Sequence, residues 1–251
     1  MTSKNNNSVI FTTQLASDVN ALLQGVSSEQ LFILTDQSTR KHCLPLLQTG
    51  GLFDSAQVYT MPNGDHYKTI ETVVDIWTFL GERGATRHSV LINVGGGVVT
   101  DLGGFVANTF KRGIRFINIP TTLLSMVDAA VGGKTGINFN GLKNEIGAFR
   151  EAEAVIISTC LFDTLPQEEL LSGYAEMLKH GLISNRDTYN SLLDFNINSA
   201  DTDRLLELLQ QSVNVKRRIV NEDPTEKGIR RALNLGHTAG HAFESLALHR
   251  N

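Results

Sequence analysis

Two histidines near the end of the chain have a spacing that suits metal or anion binding. His237 and His241 lie four residues apart in the segment NLGHTAGHAFES, which is predicted to be helical. Residues at that spacing share one face of a helix, so the two imidazoles would lie side by side. The pattern resembles half of a zinc-protease motif, although Thr238 stands where that motif needs a glutamate. The alternative is that the two rings belong to the core or the surface, as helical histidines more often do.

A candidate third ligand lies in the segment LLSGYAEMLKHGLI, residues 170–183, which is also predicted to be helical. A carboxylate and two imidazoles form a common ligand set for catalytic zinc, with the remaining position left open. Glu176 would supply that carboxylate. The simpler interpretation is a surface ion pair between Glu176 and Lys179, which lie three residues apart on one side of the helix.

Basic residues in the same half of the chain suggest an anionic ligand. Lys216, Arg217 and Arg218 are consecutive, and Arg230 and Arg231 follow a short distance later. A solvated helix face explains most runs of this kind, and an anionic small-molecule substrate would explain the remainder. Both interpretations stay open on sequence alone.

A glycine-rich segment follows one of the predicted strands. NVGGGVVTDLGG, residues 93–104, leaves a strand and opens a helix, where backbone N–H groups can meet a phosphate. It does not match the Rossmann fingerprint, because the register that starts at Gly95 places Thr100 at the last glycine position. Asp101 lies in the first helical turn. A nucleotide site and an ordinary tight turn are therefore both open interpretations.

A second glycine-containing segment, DAAVGGKTGIN at 128–138, combines an acid with a lysine. It fails as a P-loop because Asp128 occupies the position of the first required glycine. Asp128 and Lys134 are predicted to lie on one turn after a helix. The interpretation that the residues alone favour is a structural ion pair between these two side chains.

The elements that must position these residues change character along the chain. Short β-branched runs alternate with amphipathic stretches before residue 160, which indicates a mostly parallel sheet covered by helices. The predicted strands are 9–12, 31–36, 56–60, 89–95, 115–120 and 154–158, and the clearest early helix is 69–84. The later predicted helices are 166–183, 187–194, 201–222 and 235–247. We therefore predict an α/β domain at 1–160 and an all-α domain at 161–251, with the site in the crevice between them.

Composition and charge are those of an ordinary globular protein. The chain has 251 residues, of which 41% are hydrophobic and 19% charged, and its net charge of −4 argues against a nucleic-acid or anionic-membrane partner. No run approaches the length of a membrane span, and the N-terminus lacks an export signal. Cys43 and Cys160 lack metal-type spacing and are expected to be free thiols in a reducing compartment. The expected location is therefore the cytoplasm.

Taken together, the motifs resemble those of the 3-dehydroquinate synthase family. The matching stretches are GGGVVTDLGGFVANTFKRGIRFINIPTTLLSMVDAAVGGKTGIN, KNEIGAF, SGYAEMLKHGLI and ALNLGHTAGHAFE, which run in family order over nearly the whole chain. The resemblance implies a Rossmann-like α/β domain that binds NAD and an α-helical domain that binds substrate and a divalent metal, Zn²⁺ or Co²⁺. It also implies a homodimer.

The activity implied by the resemblance is the cyclisation of 3-deoxy-D-arabino-heptulosonate 7-phosphate to 3-dehydroquinate with release of phosphate, a step of the shikimate pathway. NAD oxidises the C5 hydroxyl, phosphate leaves by elimination, the hydride returns, and an intramolecular aldol step closes the carbocycle. The metal polarises the C4 and C5 oxygens, while lysines and arginines hold the phosphate and the carboxylate. The phosphate itself would act as the base for elimination.

The resemblance also implies roles for individual residues. The metal ligands would be Glu176 and His237, whereas His241 would face the substrate phosphate. The other implied substrate contacts are Asp128, Lys134, Lys143, Asn144, Lys179, Lys216, Arg230 and Asn234, with Arg112 reaching the substrate of the neighbouring subunit. The implied NAD contacts are Asp36, Asp65, Lys68, Gly96, Gly97, Val98, Asp101, Thr121, Thr122, Lys134, Lys143, Leu161, Phe162, Asp163 and Thr164. Asp65 replaces the glutamate usual in the family and keeps the carboxylate on a shorter arm.

The C-terminal end departs from the family pattern. Family members continue with a helix that carries a further histidine ligand, and nothing in this sequence matches that helix. His249 lies twelve residues after His237, which is too early to replace the ligand. The chain is therefore expected to be a truncated form that binds zinc weakly and shows little turnover.

Alternative functions remain open beside this one. Sugar-phosphate cyclases that act on glucose 6-phosphate, such as 2-deoxy-scyllo-inosose synthase, or on sedoheptulose 7-phosphate share the fold and metal set. Arg112 and Arg230 favour a substrate that bears a carboxylate instead. Glycerol-dehydrogenase-like enzymes share the architecture, but the segments MVDAAVGGKT and KNEIGAF argue against them. Outside the enzymes, the alternative is a non-catalytic fragment that binds NAD.

Overall fold

The computed structural model describes residues 8–48, 53, 56–198, 201–236, 239, 240 and 243. Its strands are β1 Ser8–Phe11, β2 Leu31–Asp36, β3 Gln57–Met61, β4 Val90–Gly95, β5 Arg115–Pro120, β6 Lys134–Phe139, β7 Leu142–Phe149 and β8 Ala154–Ile157. Six of them form one parallel sheet in the order β1-β8-β5-β4-β2-β3, while β6 and β7 form a separate antiparallel hairpin.

The central strands of the parallel sheet are almost continuous apolar runs. LFILTD in β2, VLINVG in β4 and RFINIP in β5 are buried over nearly their whole length. Strands of this kind are buried on both faces, which is how parallel sheets covered by helices are built. All six predicted strands are confirmed to within one residue at either end.

The helices that precede the hairpin connect and cover the strands. They are α1 Leu15–Leu22, α2 Gln37–His42, α3 Leu44–Leu47, α4 Ile70–Glu82 and α5 Gly97–Thr109. The later helices are α6 Gln167–Ser184, α7 Arg186–Leu193, α8 Thr202–Glu222 and a short 3₁₀ helix, Ile229–Asn234. One apolar core runs from the sheet into this helical part, where it includes Met177 of α6 and Leu209 of α8. The division into domains near residue 160 stays a prediction.

The helical predictions after residue 160 have a mixed outcome. Helices at 166–183, 187–194 and 201–222 are confirmed to within one residue. The predicted helix at 235–247 is wrong at its start, because Leu235 and Gly236 form a turn in which Gly236 has a φ of +85°. Most of the remainder of that segment lies outside the described residues.

The β6–β7 hairpin is an element that the sequence analysis missed. Gly136 and Gly147 face each other so closely that a Cβ on Gly147 would lie 2.3 Å from the Thr135 carbonyl oxygen. Glycines and mostly exposed polar residues therefore replace the apolar alternation that normally marks a strand. A signal was present at the turn, where Asn140 and Gly141 both have a positive φ, as a two-residue type I′ turn requires.

Two further expectations concern the cysteines and membrane-spanning helices. Cys43 and Cys160 are both free, as predicted. Burial raises the pKa of the Cys43 thiol to about 11, with smaller contributions from the Asp36 carboxylate and Cys160. Within the described residues, no helix combines the length and the apolar character needed to cross a bilayer.

Helix α5 lies very close to β4 because its middle contains glycine. Asn93 of β4 is fully buried, and its Nδ2 donates to Asn118 Oδ1 in β5 at 2.8 Å. A Cβ on Gly103 would lie 2.0 Å from Asn93 Oδ1 and 2.8 Å from Leu34 Cδ2. The absence of a side chain at Gly103 therefore fixes the distance between the glycine-rich helix and the sheet.

We predict that Gly103→Ala destabilises the fold by about 2 kcal/mol, because either α5 or the buried Asn93 must move. The matched control is Gly81→Ala in α4, where an added Cβ meets nothing within 4 Å and alanine is the better helix former. Urea unfolding measures both free energies. Equal stabilities for the two variants would contradict the close approach of α5.

Candidate active site

A cavity of about 540 Å³ opens at the carboxyl-terminal edge of the parallel sheet. Parallel sheets of α/β proteins bind ligands at this edge, and the volume suits a small-molecule site. Most residues that the resemblance assigns to NAD line it: Asp36, Asp65, Lys68, Gly96, Gly97, Val98, Asp101, Thr121, Thr122, Leu161 and Thr164. Asp128, which the resemblance assigns to the substrate, lines the same cavity. Residues from both predicted groups therefore meet in one place.

The start of α5 offers backbone N–H groups to this cavity. Its N-cap residue is Gly96, which has no side chain to bond the free N–H groups of the first turn. A Cβ on Gly96 would lie 3.2 Å from Thr122 Cγ2, and one on Gly97 would lie 3.3 Å from Ala129 Cβ. Glycine at these two positions thus avoids crowding against Thr122 and Ala129 where the helix begins. This arrangement fits a phosphate group, which the helix dipole also favours.

Lys68 and Asp101 form a buried ion pair in the wall of the cavity. Lys68 Nζ lies 2.6 Å from Asp101 Oδ2 and donates a second hydrogen bond to Asn144 Oδ1 at 2.5 Å. Burial raises the pKa of Asp101, and the charge and hydrogen bond of Lys68 oppose that effect without cancelling it. The Lys68 ammonium therefore compensates a carboxylate that would be costly to bury alone.

Asp128 lies in a single turn of π-helix, Ser125–Ala129, which follows β5. Such turns are rare and occur often at functional sites. Its carbonyl oxygen and Oδ1 both accept hydrogen bonds from Lys216 Nζ of α8 at 2.5 Å. Burial would raise the pKa of Asp128, but Lys216, followed by Lys179 and His180, lowers it to about 2. The carboxylate is therefore ionised and ties α8 to the sheet.

The predicted ion pair between Asp128 and Lys134 is wrong. Lys134 begins β6, and its Nζ contacts the carboxylate of Glu226 instead. The other oxygen of Glu226 accepts a hydrogen bond from Asn234 Nδ2 at 2.8 Å. The chain reverses between the two residues at Gly132, whose φ is +105°, so the side chains face different partners.

Glu176 and Lys179 do form a pair, but the interpretation as a surface pair is wrong because each is only 8% exposed. Lys179 Nζ donates to Glu176 Oε1 and to the carbonyl of Leu233, the latter at 2.5 Å. His180 Nε2 lies 3.3 Å from the same Oε1, and its Nδ1 lies 2.7 Å from Ser212 Oγ. Burial would raise the pKa of Glu176, but the neighbouring His180 and Lys179 lower it overall. The site therefore contains a buried, ionised carboxylate.

Helix α6 approaches the π-helical segment closely at Gly173. A Cβ at this position would lie 2.4 Å from the backbone nitrogen of Leu124 and 2.5 Å from Leu123 Cβ. Any side chain would therefore push α6 away from the segment that carries Asp128. Gly173 thus allows the helix that carries Glu176 to lie close to the segment that leads to Asp128.

The basic residues of the helical half divide between the site and the solvent. Lys216 and Arg230 are buried, whereas Arg218 and Arg231 are exposed. Arg230 Nη2 donates to the carbonyl of Gly132 at 3.1 Å, beside the loop that carries Asp128. The solvated-face interpretation therefore applies to Arg218 and Arg231, and an anionic substrate at Lys216 and Arg230 stays a prediction.

Two profiles of one enzyme family match the chain. The profile described as 3-dehydroquinate synthase N-terminal matches residues 58–172, and the profile described as 3-dehydroquinate synthase C-terminal matches residues 173–251. The chain belongs to the 3-dehydroquinate synthase family. The 3-dehydroquinate synthase of Parabacteroides distasonis is 52% identical over 239 residues, which cover 95% of this chain and 68% of that protein. The enzyme of Streptococcus pyogenes serotype M3 is 42% identical, with 96% and 67% covered.

Solved structures share the fold. A 2-deoxy-scyllo-inosose synthase complexed with carbaglucose-6-phosphate, NAD⁺ and Co²⁺ matches with a TM-score of 0.84 at 24% identity, covering 96% of this chain and 68% of that one. A 2-epi-5-epi-valiolone synthase from Streptomyces hygroscopicus with NAD⁺ and Zn²⁺ bound matches with a TM-score of 0.82 at 24% identity, covering 94% and 67%. The predicted fold class is confirmed, as are the family and the enzyme class, a phosphate-eliminating carbon–oxygen lyase.

Many residues that the resemblance to dehydroquinate synthases assigned to the site do not line this cavity. They are Lys134, Asn144, Glu176, Lys179, Lys216, Arg230 and Asn234, together with Lys143, Phe162, Asp163 and Arg112. Lys143 is on the hairpin, with its Nζ 3.9 Å from Asp65 Oδ2. Phe162 and Asp163 do not line the cavity, although they belong to the segment that contributes to its wall. Arg112 is exposed after α5, in a left-handed conformation with a φ of +68°. The contacts predicted for these residues would be made to a ligand or to a neighbouring subunit.

Part of the predicted metal site lies outside the described residues. His237 and His241 lie outside the described residues, as does His249. Among the residues that the structure does describe, no three or more His, Cys, Asp and Glu side chains converge on one point. Glu176 nonetheless fits a divalent cation, because a buried and ionised carboxylate is a hard oxygen ligand. The assignment of Glu176 and His237 as ligands stays a prediction.

Two polar residues of the site were not anticipated from the sequence. Ser125 Oγ lies 3.0 Å from Thr122 Oγ1 and closes the turn at the cavity wall. Glu226 bonds both Lys134 and Asn234. The turn-forming stretch NEDPTEKG predicts a tight loop around Glu226, but nothing in the sequence indicates which distant residues that loop meets.

We predict that Asp128→Asn changes how stability depends on pH. Folding lowers the pKa of Asp128 from 3.8 to about 2, so the ionised form stabilises the fold above pH 3.8 and this contribution is lost as pH falls towards 2. The stability advantage of the unsubstituted chain over the variant should therefore shrink below about pH 4, by on the order of 1 kcal/mol, because a third of the side chain is exposed to screening solvent.

Urea unfolding at several pH values between about 6 and 3 measures this difference. The control is Asp203→Asn, since Asp203 is exposed on α8 and belongs to no part of the site. A gap between the unsubstituted chain and Asp128→Asn that stays constant with pH would contradict the charge pairing.

Proposed function

We propose that this cavity catalyses the NAD- and metal-dependent cyclisation of 3-deoxy-D-arabino-heptulosonate 7-phosphate to 3-dehydroquinate, with release of phosphate. One observation supports it most directly: Asp128 lies in the wall of the same cavity as the glycine-rich start of α5. A dinucleotide at the helix start and a substrate at Asp128 would therefore share one space. The relatives that match over most of the chain are named for this reaction.

The cofactor would bind to the wall formed by α5 and the turns that follow β2 and β3. The N–H groups that follow Gly96 would hold its pyrophosphate, and Lys68 and Asp101 would orient the part beside the hairpin. When bound, NAD supplies a reversible hydride acceptor, and Zn²⁺ or Co²⁺ polarises the reacting oxygens. Two solved neighbours contain NAD⁺ with one of these metals, in line with this cofactor set.

The helical half would hold the metal and the reacting end of the substrate. Glu176 and His237 are the proposed ligands, and burial of Glu176 keeps competing water away from that carboxylate. Asp128, which Lys216 keeps ionised, would accept a hydrogen bond from a substrate hydroxyl and so fix where its proton lies. Lys179 would remain beside Glu176 as a compensating cation.

The anionic groups of the substrate would bind to the residues around Gly132. Lys134 and Asn234 already contact one carboxylate, that of Glu226, which supports their proposed role in binding a carboxylate or phosphate. Arg230 and Lys143 would add positive charge, and His241 would face the phosphate. Since the departing phosphate can remove the adjacent proton, the mechanism needs no further side chain as general base.

We also propose that the enzyme is a cytoplasmic homodimer. Arg112 is exposed and lies outside the cavity of its own chain, in line with a role at the substrate of a neighbouring subunit. The two free cysteines suit a reducing compartment.

We predict that Lys68→Met lowers the affinity for NAD at least about tenfold, because the change leaves Asp101 buried without its cation at the cofactor wall. Isothermal titration with NAD measures the dissociation constants. Lys41→Met removes an exposed lysine of α2 and should bind NAD like the unsubstituted chain. Circular dichroism verifies that both variants are folded. Unchanged affinity in folded Lys68→Met would remove this residue from the cofactor site.

The reaction itself is tested by the release of phosphate from three substrates. We expect the protein, expressed from its full coding sequence with NAD and Co²⁺, to act on the heptulosonate phosphate and not on glucose 6-phosphate or sedoheptulose 7-phosphate. Glu176→Gln should lower the rate at least about a hundredfold by removing a charged metal ligand, whereas Glu222→Gln, on an exposed part of α8, should not. Turnover of glucose 6-phosphate would favour the inosose synthase alternative, and NAD binding without any turnover would favour a non-catalytic role.

A further inference from the structure

One side chain joins the β6–β7 hairpin to the cofactor side of the cavity. The backbone N–H of Asn138 donates to the Lys68 carbonyl oxygen at 2.8 Å. Its Nδ2 donates to Asp65 Oδ2 at 3.1 Å and to the Asp65 carbonyl oxygen at 3.3 Å. Its Oδ1 accepts a hydrogen bond from the backbone N–H of Asn144 at 3.0 Å. The amide can face only one way, because Asp65 accepts and the Asn144 N–H donates.

These bonds close a ring through Lys68. Lys68 Nζ contacts Asn144 Oδ1 at 2.5 Å and Asp101 Oδ2 at 2.6 Å. The ring therefore connects the turn after β3, α5 and the outer part of the hairpin; Asp101 lies in the second turn of α5 and not in the first, where the sequence analysis placed it. Asp65, Lys68 and Asp101 belong to the proposed cofactor wall, whereas Asn144 belongs to the proposed substrate site.

The outer part of the hairpin depends on this ring more than its base does. The base packs on α5, where a Cβ on Gly104 would lie 2.5 Å from Thr135 Cγ2. Beyond it the pairing shifts register between Ile137 and Phe139, and the strand residues that follow are mostly exposed. Asn144 has a φ of +55°, a left-handed conformation that needs support from its surroundings. Asn138 bonds the N–H of that residue.

We propose that Asn138 is a positioning residue that couples occupation of the cofactor wall to the placement of the substrate-binding hairpin. A dinucleotide that fixes Asp65 and Lys68 would, through Asn138, also fix the backbone at Asn144. The hairpin carries Lys143 and Asn144 near its outer end and Lys134 at its base. The inference rests on the proposed function, because it needs NAD at this wall, and it adds that cofactor binding prepares the substrate site.

The test is amide hydrogen exchange measured by mass spectrometry, with and without NAD at a concentration that saturates each variant. In the unsubstituted protein, NAD should slow exchange at least about fivefold both in 96–101 and in 140–146. In Asn138→Ala, protection of 96–101 should remain while that of 140–146 falls below about twofold. Asn140→Gly is the matched control, since this change in the same hairpin keeps the positive φ and removes a side chain outside the ring.

The possible outcomes distinguish this inference from the proposed cofactor site on which it rests. If NAD protects neither segment in the unsubstituted protein, the proposed cofactor site fails. If NAD protects 96–101 but never 140–146, or if Asn138→Ala keeps full protection of the hairpin, the coupling is refuted while the cofactor site stands. Should Asn138→Ala fail to fold, Asn138→Asp gives the same test, because a carboxylate keeps the shape but repels Asp65.

Discussion

The pairing of buried charges is the constraint on which this site depends. Buried lysines of the proposed site each contact a carboxylate, in the pairs Lys68–Asp101, Lys179–Glu176 and Lys216–Asp128. Removing one member of a buried pair leaves an uncompensated charge, which typically costs about 3–5 kcal/mol. The Lys216–Asp128 pair has the widest structural effect, because it joins α8 to the π-helical turn after β5 across 88 positions of the sequence.

Close backbone packing makes these pairings possible. Gly173 lets α6 approach the segment that leads to Asp128, and Gly103 lets α5 lie against β4. At Gly132 a positive φ turns the chain, and a Cβ there would lie 3.3 Å from Arg230 Nη2 and 3.5 Å from Lys216 Cε. Glycines at 132 and 173 therefore allow the sheet half and the helical half to approach closely, so that charged groups such as Lys216 and Asp128 are in direct contact. Electrostatic preorganisation of this kind is what a polar reaction in a cleft requires.

The fold was largely predictable from local patterns, whereas the partners within the site were not. The apolar run of β4 predicts a buried strand. The Asn–Gly pair at 140–141 is a sequence signal for the turn of the hairpin. Asp128 and Lys134 looked like partners because they are close in sequence. Which lysine meets Asp128 depends instead on how α8 packs, and no local pattern encodes that. The family motifs predicted many of the residues that line the cavity. The contacts of Glu226 and Asn138 could not be predicted from the sequence and are seen only in the structure.

A crystal structure of the protein grown with NAD⁺ and Co²⁺ would show whether the dinucleotide and the metal bind in one cleft. We expect NAD pyrophosphate at the N–H groups after Gly96 and an anomalous cobalt peak at about 2.0–2.2 Å from a Glu176 oxygen, in the same cleft as Asp128. Cobalt bound away from Glu176, or NAD bound outside the cavity, would contradict this expectation.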